Sequence, residues 1–252
     1  MKSRTAILCT VVSALALSLA ALAGSRASDK KEKPVAAQNV DSGSFGVFVK
    51  GQRVATESFN IEQRNGTSII KSQLKESAGA DPVTQKAALE ITSNGELLRY
   101  EWSQSSGGSL SVTPNNDFLL EKISTATSSK PAEQPFLMPS TSAILDNNFF
   151  VHREILAWRF LAADCKPEGG NLKCQQDPGD FGVLVPQDRT SMHVRMELVG
   201  KEKISIRGAE RDLLRLNLTG ENFKWALWLD DRDQFKLIRV EIPADSTEVV
   251  RD

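Results

Sequence analysis

The chain has 252 residues, of which 25% are charged and 40% hydrophobic, and its formal net charge is −1. This balance is typical of an ordinary globular protein and excludes a disordered, highly charged chain. The chain also lacks the basic surplus that nucleic-acid-binding proteins normally carry, so we expect no nucleic-acid partner.

The N-terminus has the charge and hydrophobicity pattern of a signal peptide. Lys2 and Arg4 precede a long uncharged run, and small residues allow cleavage after Ala23 or Ala27. Removal of residues 1–27 takes away three of the 31 basic residues and none of the 32 acidic ones, so the net charge becomes about −4. The pattern predicts a periplasmic or secreted protein. An uncleaved membrane anchor stays open, because about 18 apolar residues can just span a bilayer. That segment would then be the expected membrane contact.

Two segments follow the predicted signal peptide. Residues 28–43 are polar and charged and predict a flexible tether. From residue 44 the pattern changes to a period of two, with Phe45, Val47 and Val49 on one face. We therefore predict a single β-rich domain over residues 44–252.

Two Asn-Gly pairs separate alternating segments, at Asn65-Gly66 and Asn94-Gly95. Both central positions of a type I′ turn require a positive φ, which Asn and Gly tolerate best. Each pair therefore predicts a two-residue turn within an antiparallel hairpin.

The middle of the chain predicts a linker and then a helix. Residues 124–142 are rich in Ser, Thr and Pro, which favours a linker. Asp146 is a suitable N-cap, and residues 147–163 contain neither Gly nor Pro. This helix is apolar nearly all round, so it is predicted to be buried or seated in a concave apolar surface. The polar exceptions are His152, Arg153, Glu154 and Arg159.

Cys165 and Cys174 are the two cysteines that remain after export. They flank a Pro- and Gly-containing loop that lets the backbone double back, and in an oxidising compartment this spacing predicts a disulfide. A zinc site is the alternative, but only His152 and His193 could join these cysteines as ligands, and the chain has no second Cys pair. We expect no metal and no cofactor.

Period-two alternation resumes after the disulfide loop, with runs at 192–198, 214–218, 223–229 and 235–242. Each run predicts a strand with one apolar and one wetter face. The predicted fold class is mainly β with one central helix (α+β). A large antiparallel sheet that curls into a half-barrel would cover the apolar mid-chain helix.

The order of these parts resembles a family of bacterial periplasmic domains of unknown function. The resemblance rests on Phe48-Val49-Lys50-Gly51-Gln52-Arg53-Val54, on the helix after Ala143-Ile144-Leu145-Asp146, and on Trp228-Leu229-Asp230-Asp231. The sheets of that family are similar to those of the outer-membrane lipoprotein carrier and sorting proteins, whose half-open barrel holds acyl chains against a helix. The resemblance implies an envelope compartment and a half-barrel, and it carries over no catalytic residue.

No catalytic motif is found: the chain lacks a Gly-x-Ser-x-Gly elbow, a phosphate loop and a dinucleotide fingerprint. The acidic run 230–233 lacks the Gly and distal Glu of a calcium loop and predicts a solvated turn. Aromatic and apolar side chains around the helix could line an apolar cavity, namely Phe149, Leu156, Trp158, Phe160 and Trp225.

Three functions are consistent with the sequence. The first is a non-enzymatic binding or carrier domain for an apolar, acyl-chain-like ligand. The second is a structural or envelope-assembly module that acts through a surface or a sheet edge and holds no small ligand. The third is a hydrolase, which would require His152 or His193 to lie within hydrogen-bond reach of a Ser or Asp in a cleft. Protein partners are not indicated by any pattern.

Overall fold

The computed structural model describes residues 37–77, 82–127, 130–169 and 171–252. The predicted signal peptide and most of the predicted tether lie outside these residues. Strands and helix follow in the order β1 Gln38–Val49, β2 Gln52–Arg64, β3 Thr67–Glu76, β4 Thr84–Thr92, β5 Leu97–Gln104, β6 Ser109–Asn115, β7 Phe118–Ser124, β8 Ala132–Phe136, β9 Ala143–Ile144, α1 Val151–Asp164, β10 Cys165–Glu168, β11 Asn171–Cys174, β12 Gly179–Val185, β13 Thr190–Ile206, β14 Ala209–Thr219, β15 Lys224–Asp230, β16 Lys236–Ile242 and β17 Thr247–Arg251.

Fifteen of these strands form one sheet in the order β8-β7-β6-β5-β4-β3-β2-β1-β17-β16-β15-β14-β13-β12-β9. All neighbours pair antiparallel except β12 and the two-residue β9, which are parallel. We call β1–β8 the N-terminal half and β12–β17 the C-terminal half; the β1–β17 pair joins them. The prediction of a large, open antiparallel sheet curled over one helix is confirmed.

Alternation along the strands separates the face of the sheet that α1 covers from the outer face. Phe59 and Ile61 of β2 are buried on the helix side. Ser58 and Asn60, which alternate with them, point to the opposite side. One continuous apolar cluster packs between helix and sheet. A smaller cluster lies on the outer face of the C-terminal half, around Trp228.

Residues 140–146, which we call the bridging segment, connect one strand of each half of the sheet. The N–H of Leu97 in β5 donates to the Ser140 carbonyl (2.7 Å), and the N–H of Leu145 donates to the Leu184 carbonyl in β12 (2.9 Å). One short piece of chain before α1 therefore links the N-terminal half to the C-terminal half.

The helix begins at Val151, four residues later than predicted, and Asp146 is not its N-cap. The Asp146 carboxylate instead accepts hydrogen bonds from the Asn148 N–H (2.8 Å) and from the Tyr100 hydroxyl. The first helical N–H groups lack a local cap, and Glu57 of β2 satisfies them: it accepts from the Phe150 N–H (2.6 Å) and more weakly from the Val151 N–H (3.4 Å). A residue distant in sequence thus decides where the helix starts.

Two segments that the sequence assigned to irregular chain are strands. The predicted tether was to end at residue 43, but β1 begins at Gln38, because it pairs with β2 and because buried Asp41 binds Arg251 (2.5 Å). The predicted linker 124–142 contains β8, which pairs with β7 and buries Phe136 over Leu119. In both cases a neighbouring strand supplies hydrogen bonds that local composition does not reveal.

The two Asn-Gly pairs form different turns. Asn65 (φ 51°) and Gly66 (φ 75°) both have positive φ and link β2 to β3, as predicted. In the second pair, Asn94-Gly95, only Gly95 (φ 80°) has a positive φ, and a four-residue loop joins β4 to β5. Thr92 makes the difference, because its carbonyl accepts from the Gly95 N–H (2.9 Å) and its hydroxyl oxygen from the Glu96 N–H (3.1 Å).

The predicted disulfide between Cys165 and Cys174 is confirmed. It joins the paired ends of β10 and β11, a small hairpin that is separate from the main sheet. The bridge therefore pins a connection after the helix.

Candidate functional site

A cavity of about 660 Å³ lies between α1 and the N-terminal half of the sheet. Strands β2–β5 form its floor, α1 one wall, and the bridging segment another. Its lining is mostly apolar, with the side chains of Val40, Ile61, Leu89, Ile91, Leu97, Ala143, Ile144, Ile155, Leu156, Trp158, Ala162 and Ala163. Its volume is within the range of small-molecule sites.

Of the five residues proposed from sequence for an apolar cavity, Leu156 and Trp158 line this one. Phe149 and Phe160 do not; both are fully buried in the core. Trp225 lies on the C-terminal half of the sheet and is not part of the lining either. Helix periodicity identifies apolar faces, but it cannot tell which face packs solidly and which leaves space.

Exposure changes along the helix in a way that gives the cavity a deep end and a mouth. His152 is 1% exposed and Leu156 is also buried, whereas Ala162 and Ala163, at the C-terminal end of α1, are exposed. Exposed Asn94 in the β4–β5 loop lines the same end. A ligand would therefore enter near the C-terminus of α1 and reach toward its N-terminus.

A buried polar cluster surrounds the start of α1. Arg153 is 1% exposed and donates to the carbonyls of Asp146 and Phe149, the second at 2.8 Å. Asp146 accepts from the Tyr100 hydroxyl and from the Gln187 side-chain amide. This cluster contains residues of β5, the bridging segment, α1 and the turn after β12, so it ties both halves of the sheet to the helix.

Burial controls the ionisation of this cluster. It raises the pKa of Glu57 to about 8, although hydrogen bonds from two backbone N–H groups and nearby Arg153 oppose the shift. Desolvation lowers the pKa of Arg153 to about 10, against the attraction of Asp146 and Glu57. Burial likewise raises the pKa of Asp146. The buried Glu57 carboxyl therefore tends to be neutral near pH 7, beside the guanidinium of Arg153.

His152 belongs to both the cluster and the cavity, since it is one of the lining residues. Its Nδ1 accepts a hydrogen bond from the Asp146 N–H at 3.3 Å. Its Nε2 is buried and has no hydrogen-bond partner among the residues that the structure describes. Desolvation, and then the nearby charge of Arg153, lowers the pKa of His152 to about 3. The imidazole is therefore neutral at ordinary pH.

A second polar cluster holds the other side of α1 to the C-terminal half of the sheet. Glu154 accepts from the Leu237 N–H (3.1 Å) and lies 3.4 Å from Arg251, which also pairs with Asp41. Burial raises the pKa of Glu154 to about 8. One turn further on, the Trp158 indole N–H donates to the Phe235 carbonyl (2.9 Å). On this side the helix is bonded to the sheet.

From the sequence, His152, Arg153 and Glu154 were seen only as polar exceptions on an apolar helix. Glu57, which accepts hydrogen bonds from the first N–H groups of that helix, was missed. The available signal was three consecutive polar residues within an otherwise apolar helix. Consecutive residues point in different directions around a helix, so at least one had to enter the core if the helix was buried all round.

Among the described residues, neither histidine lies within hydrogen-bond reach of a Ser or Asp side chain in a cleft. His193 Nδ1 lies 3.0 Å from Asp180 Oδ1, but their side chains are 80% and 53% exposed, so the pair lies on an open surface. Within the described chain, His152 makes no hydrogen bond to a Ser or Asp side chain. The acidic run at 230–233 is a turn whose carboxylates pair with Arg211, Lys201 and Lys236.

Two other depressions are present. A transverse groove of about 900 Å³ crosses β2–β7, with Lys71, Lys86 and Lys122 among its residues. By strand alternation these lysines belong to the outer face, opposite Phe59 and Ile61. A hollow of about 460 Å³ lies beside Phe150 and Asn148, before the start of α1. The cavity under α1 differs from the groove in being walled by helix as well as sheet.

The fold and cavity define a mainly antiparallel β protein whose open, curled sheet covers one helix. Comparisons with protein-family models, with curated proteins and with solved structures find no match to this chain. Among the described residues, no helix is both long and apolar enough to cross a membrane.

Proposed function

We propose that this protein is an exported, non-enzymatic binding or carrier domain for an apolar, lipid-like ligand held between α1 and the N-terminal half of the sheet. One observation carries the proposal: the mostly apolar cavity of about 660 Å³ that opens at the C-terminal end of α1. Burying a hydrocarbon there would be driven by the removal of apolar surface from water, at about 25 cal/mol per Å².

The arrangement of the histidines supports a non-enzymatic role. Nδ1 of His152 is occupied by a backbone N–H, and His193 lies on an exposed strand. Export is supported by the signal-peptide pattern, and the disulfide is compatible with it. The N-terminal residue of the mature protein, measured by mass spectrometry, tests this part: cleavage after Ala23 or Ala27 is expected, and retention of residues 1–27 would contradict it.

Binding is tested with the fluorescent apolar dye N-phenyl-1-naphthylamine, followed by displacement with methyl dodecanoate. Two variants fill the cavity from opposite walls, Ala162→Trp on α1 and Ser68→Phe on β3. Each is expected to weaken binding of the dye at least about tenfold, since each occupies space that the ligand needs. Ala209→Trp, an exposed site at the start of β14, is the matched control and should bind as the wild type does.

Two results would overturn the carrier proposal. One is a wild-type protein that binds neither the dye nor the ester. The other is binding that both cavity-filling variants leave unchanged while their thermal unfolding remains cooperative. Native mass spectrometry of protein purified from a bacterial periplasm gives an independent readout, because a carried ligand would add its mass to the folded protein.

A second candidate, an interaction module that acts through a sheet edge, is favoured by one observation. Leu137 is 91% exposed and directly follows β8, which forms one edge of the sheet. However, β8 is short and contains Pro135, features that limit pairing with another chain. A protein that binds no apolar probe but self-associates, and loses this association in Leu137→Lys, would favour the second candidate.

A further inference from the structure

Among the described residues, one cation lines the apolar cavity under α1. Arg159 lies on the face of the helix that faces the cavity, one turn after Ile155 and just before Ala162 and Ala163 at the mouth. It is half-buried, and the other lining residues of the helix are apolar apart from His152 at the deep end. A guanidinium keeps its charge at any ordinary pH. The cavity wall near the mouth is therefore positively charged.

The side chain of Arg159 crosses from the helix to the β4–β5 loop. Its stem packs against Gly95, where an added Cβ would lie 3.2 Å from Arg159 Cδ. Its guanidinium lies over the Phe181 ring of β12, with 5.6 Å between Cζ and the ring centroid. Stacking of this kind uses the flat face of a guanidinium and leaves the N–H groups at its edge for an acceptor. These contacts hold the cation beside the entrance of the cavity.

The charge of Arg159 is not paired within the described chain. Its guanidinium forms no ion pair there, and its single hydrogen bond, from Nη1 to the Gly95 carbonyl, is long at 3.5 Å. Burial lowers the pKa of Arg159, and the negative charge of nearby Glu96 opposes this shift. By contrast, Arg251 on the other side of the helix pairs with two carboxylates. Arg159 therefore has donors left for a ligand.

We propose that Arg159 binds the anionic head group of the ligand, so that the cavity holds an amphiphile whose carboxylate or phosphate lies at the mouth. This inference rests on the proposed carrier function and names the chemical class of the ligand. The hydrocarbon extends from Arg159 past Leu156 and Ile155 toward His152, which lies about 10 Å further along the helix axis. Arg159 is a binding residue and takes no part in catalysis.

This position of the head group agrees with the cost of removing a charge from water. An anion at the deep end would lose its hydration among apolar side chains, whereas at the mouth it keeps contact with water and gains charge-assisted hydrogen bonds. The C-terminal end of a helix carries a partial negative charge, so α1 itself does not attract an anion there. Binding of the head group therefore depends on the guanidinium.

The test compares methyl dodecanoate with dodecanoate and with dodecyl phosphate, each displacing N-phenyl-1-naphthylamine at pH 7, where both acids are ionised. The wild type is expected to bind at least one anion about tenfold more tightly than the ester, the size of one charge-assisted hydrogen bond at a partly exposed site. The tighter of the two anions distinguishes a carboxylate from a phosphate head group. High salt should reduce the preference, because it screens charges near the surface.

Three variants assign the preference to one side chain. Arg159→Met should lose the preference for the anions while still binding methyl dodecanoate, because it removes the charge and keeps an apolar stem. Arg159→Lys keeps the charge and should retain part of the preference. Arg99→Met, which removes an exposed guanidinium outside the cavity, is the matched control and should keep the full preference.

A measurement on the wild-type protein guards against variants that do not fold. Dodecanoate labelled with carbon-13 at its carboxyl group reports its own ionisation by NMR. The pKa of the bound carboxyl group should lie below its ordinary value, because a neighbouring guanidinium favours the charged form. In Arg159→Met the same pKa should lie above the ordinary value, since desolvation then acts alone. A bound carboxyl group whose pKa is not lowered in the wild type would contradict the proposal.

The possible outcomes separate the two proposals. If neither the dye nor any of the three ligands binds, the carrier function fails. If the dye and the ester bind but neither anion binds more tightly than the ester, the carrier function stands and the role of Arg159 is overturned. The role is also overturned if the preference survives in Arg159→Met, since the anion is then held elsewhere. Equal weakening of all three ligands in that variant overturns it too, and is expected of a residue that only positions the β4–β5 loop.

Discussion

The helix meets the two halves of the sheet in different ways. Toward the C-terminal half it is bonded directly, through Glu154 to Leu237 and Arg251 and through Trp158 to Phe235. Toward the N-terminal half, Glu57 of β2 bonds the start of the helix, and the side chains beyond it face a cavity of about 660 Å³. Apolar surfaces tend to close such a space, because a void forfeits packing contacts. Buried polar groups with fixed directions hold the helix in one position, and a cavity can persist beside it.

The same comparison separates residues that are held in place by buried hydrogen bonds from residues that line the cavity. At the start of the helix, Glu57 of β2 accepts a hydrogen bond from the Phe150 N–H, and Arg153 donates to the Asp146 carbonyl of the bridging segment. The cavity wall at Ile155 and Ala162 is apolar, and the hydrogen bond beside it, from Arg159 to the Gly95 carbonyl, is long (3.5 Å). Stability is therefore expected to depend on the first group and ligand affinity on the second.

The largest effect is expected from Arg153→Met, which removes the buried guanidinium from the start of the helix. The Asp146 and Phe149 carbonyls would lose their donor. A buried carbonyl left without a partner costs about 1–3 kcal/mol, so the two together should cost about 2–6 kcal/mol. Urea unfolding measures the loss. Arg99→Met, at an exposed pair with Glu101, should cost at most about 1 kcal/mol, and equal losses at both sites would contradict the role given to Arg153.

A matched pair of leucines compares the two halves directly. Leu216 is fully buried in the C-terminal half, whereas Leu89 lies at the cavity floor. Leu216→Ala is expected to cost about 2–5 kcal/mol, as buried leucines do. Leu89 is 3% exposed but lines the cavity, and we expect Leu89→Ala to cost less, near the lower end of that range, since a side chain beside a void makes fewer contacts. Chemical denaturation of the two variants decides, and a larger loss at Leu89 would show that the cavity side is as tightly packed as the other.

Removal of the disulfide affects a region outside both halves. Replacing Cys165 and Cys174 by Ser opens a loop with a sequence separation of 9. The chain-entropy model gives a loss of about 2–3 kcal/mol. Affinity for N-phenyl-1-naphthylamine should not change, since β10 and β11 form a sheet of their own. A loss of dye binding in a variant that still unfolds cooperatively would mean that the hairpin shapes the cavity.

The pH dependence tests the carboxyl groups on the two sides of the helix. Burial raises the pKa of both Glu57 and Glu154 from 4.5 to about 8, so the folded protein binds protons that the unfolded chain has released. Stability is then greatest below the unfolded pKa and is lost as the pH rises through the folded one. His152, whose pKa is lowered from 6.5 to about 3, has the opposite effect, but only below pH 6.5. Between pH 6.5 and 8 stability should therefore fall.

The expected slope in this window is at most about 1.4 kcal/mol per pH unit for each group. Glu57→Gln and Glu154→Gln should each remove the contribution of one carboxyl group to this slope, because an amide has the shape of the neutral carboxyl group and does not titrate. Glu133→Gln, at an exposed position on β8, is the control. Thermal or urea unfolding at several pH values measures the slope, and two Gln variants that retain the wild-type slope would show that the carboxyl groups are ionised in the folded protein.

Local patterns in the sequence predicted much of the fold for identifiable reasons. Alternation in β2 is strong because one face of the strand is buried and the other is wetter. The prediction of one wetter face is wrong for β15, where four consecutive residues, 226–229, are buried, because the outer face of the C-terminal half carries an apolar cluster of its own. Asn65-Gly66 predicted its turn because both residues tolerate positive φ. Asn94-Gly95 did not predict its turn correctly, because hydrogen bonds to Thr92 favour a longer loop. The strands at Gln38 and Ala132 were missed because polar and Pro-containing segments join a sheet only when a neighbouring strand supplies partners.

The candidate site was predicted only in part. Leu156 and Trp158 were identified as cavity residues from helix periodicity, whereas Phe149, Phe160 and Trp225 proved to be core or to lie elsewhere on the sheet. The positions opposite them, such as Leu89 and Ile144, come from separate parts of the chain. Nothing in their local spacing indicates that they face the helix across an open space.

The sequence by itself determined the antiparallel strands, the apolar helix and the Cys165–Cys174 bridge, because each depends on residues close together in the chain. The tertiary structure alone decided three things: the capping of the helix by Glu57, the burial of His152 with Nε2 left over, and the cavity beside it. Each of these depends on which distant surfaces meet and how completely they fill the space between them, and packing of that kind is a property of the assembled fold.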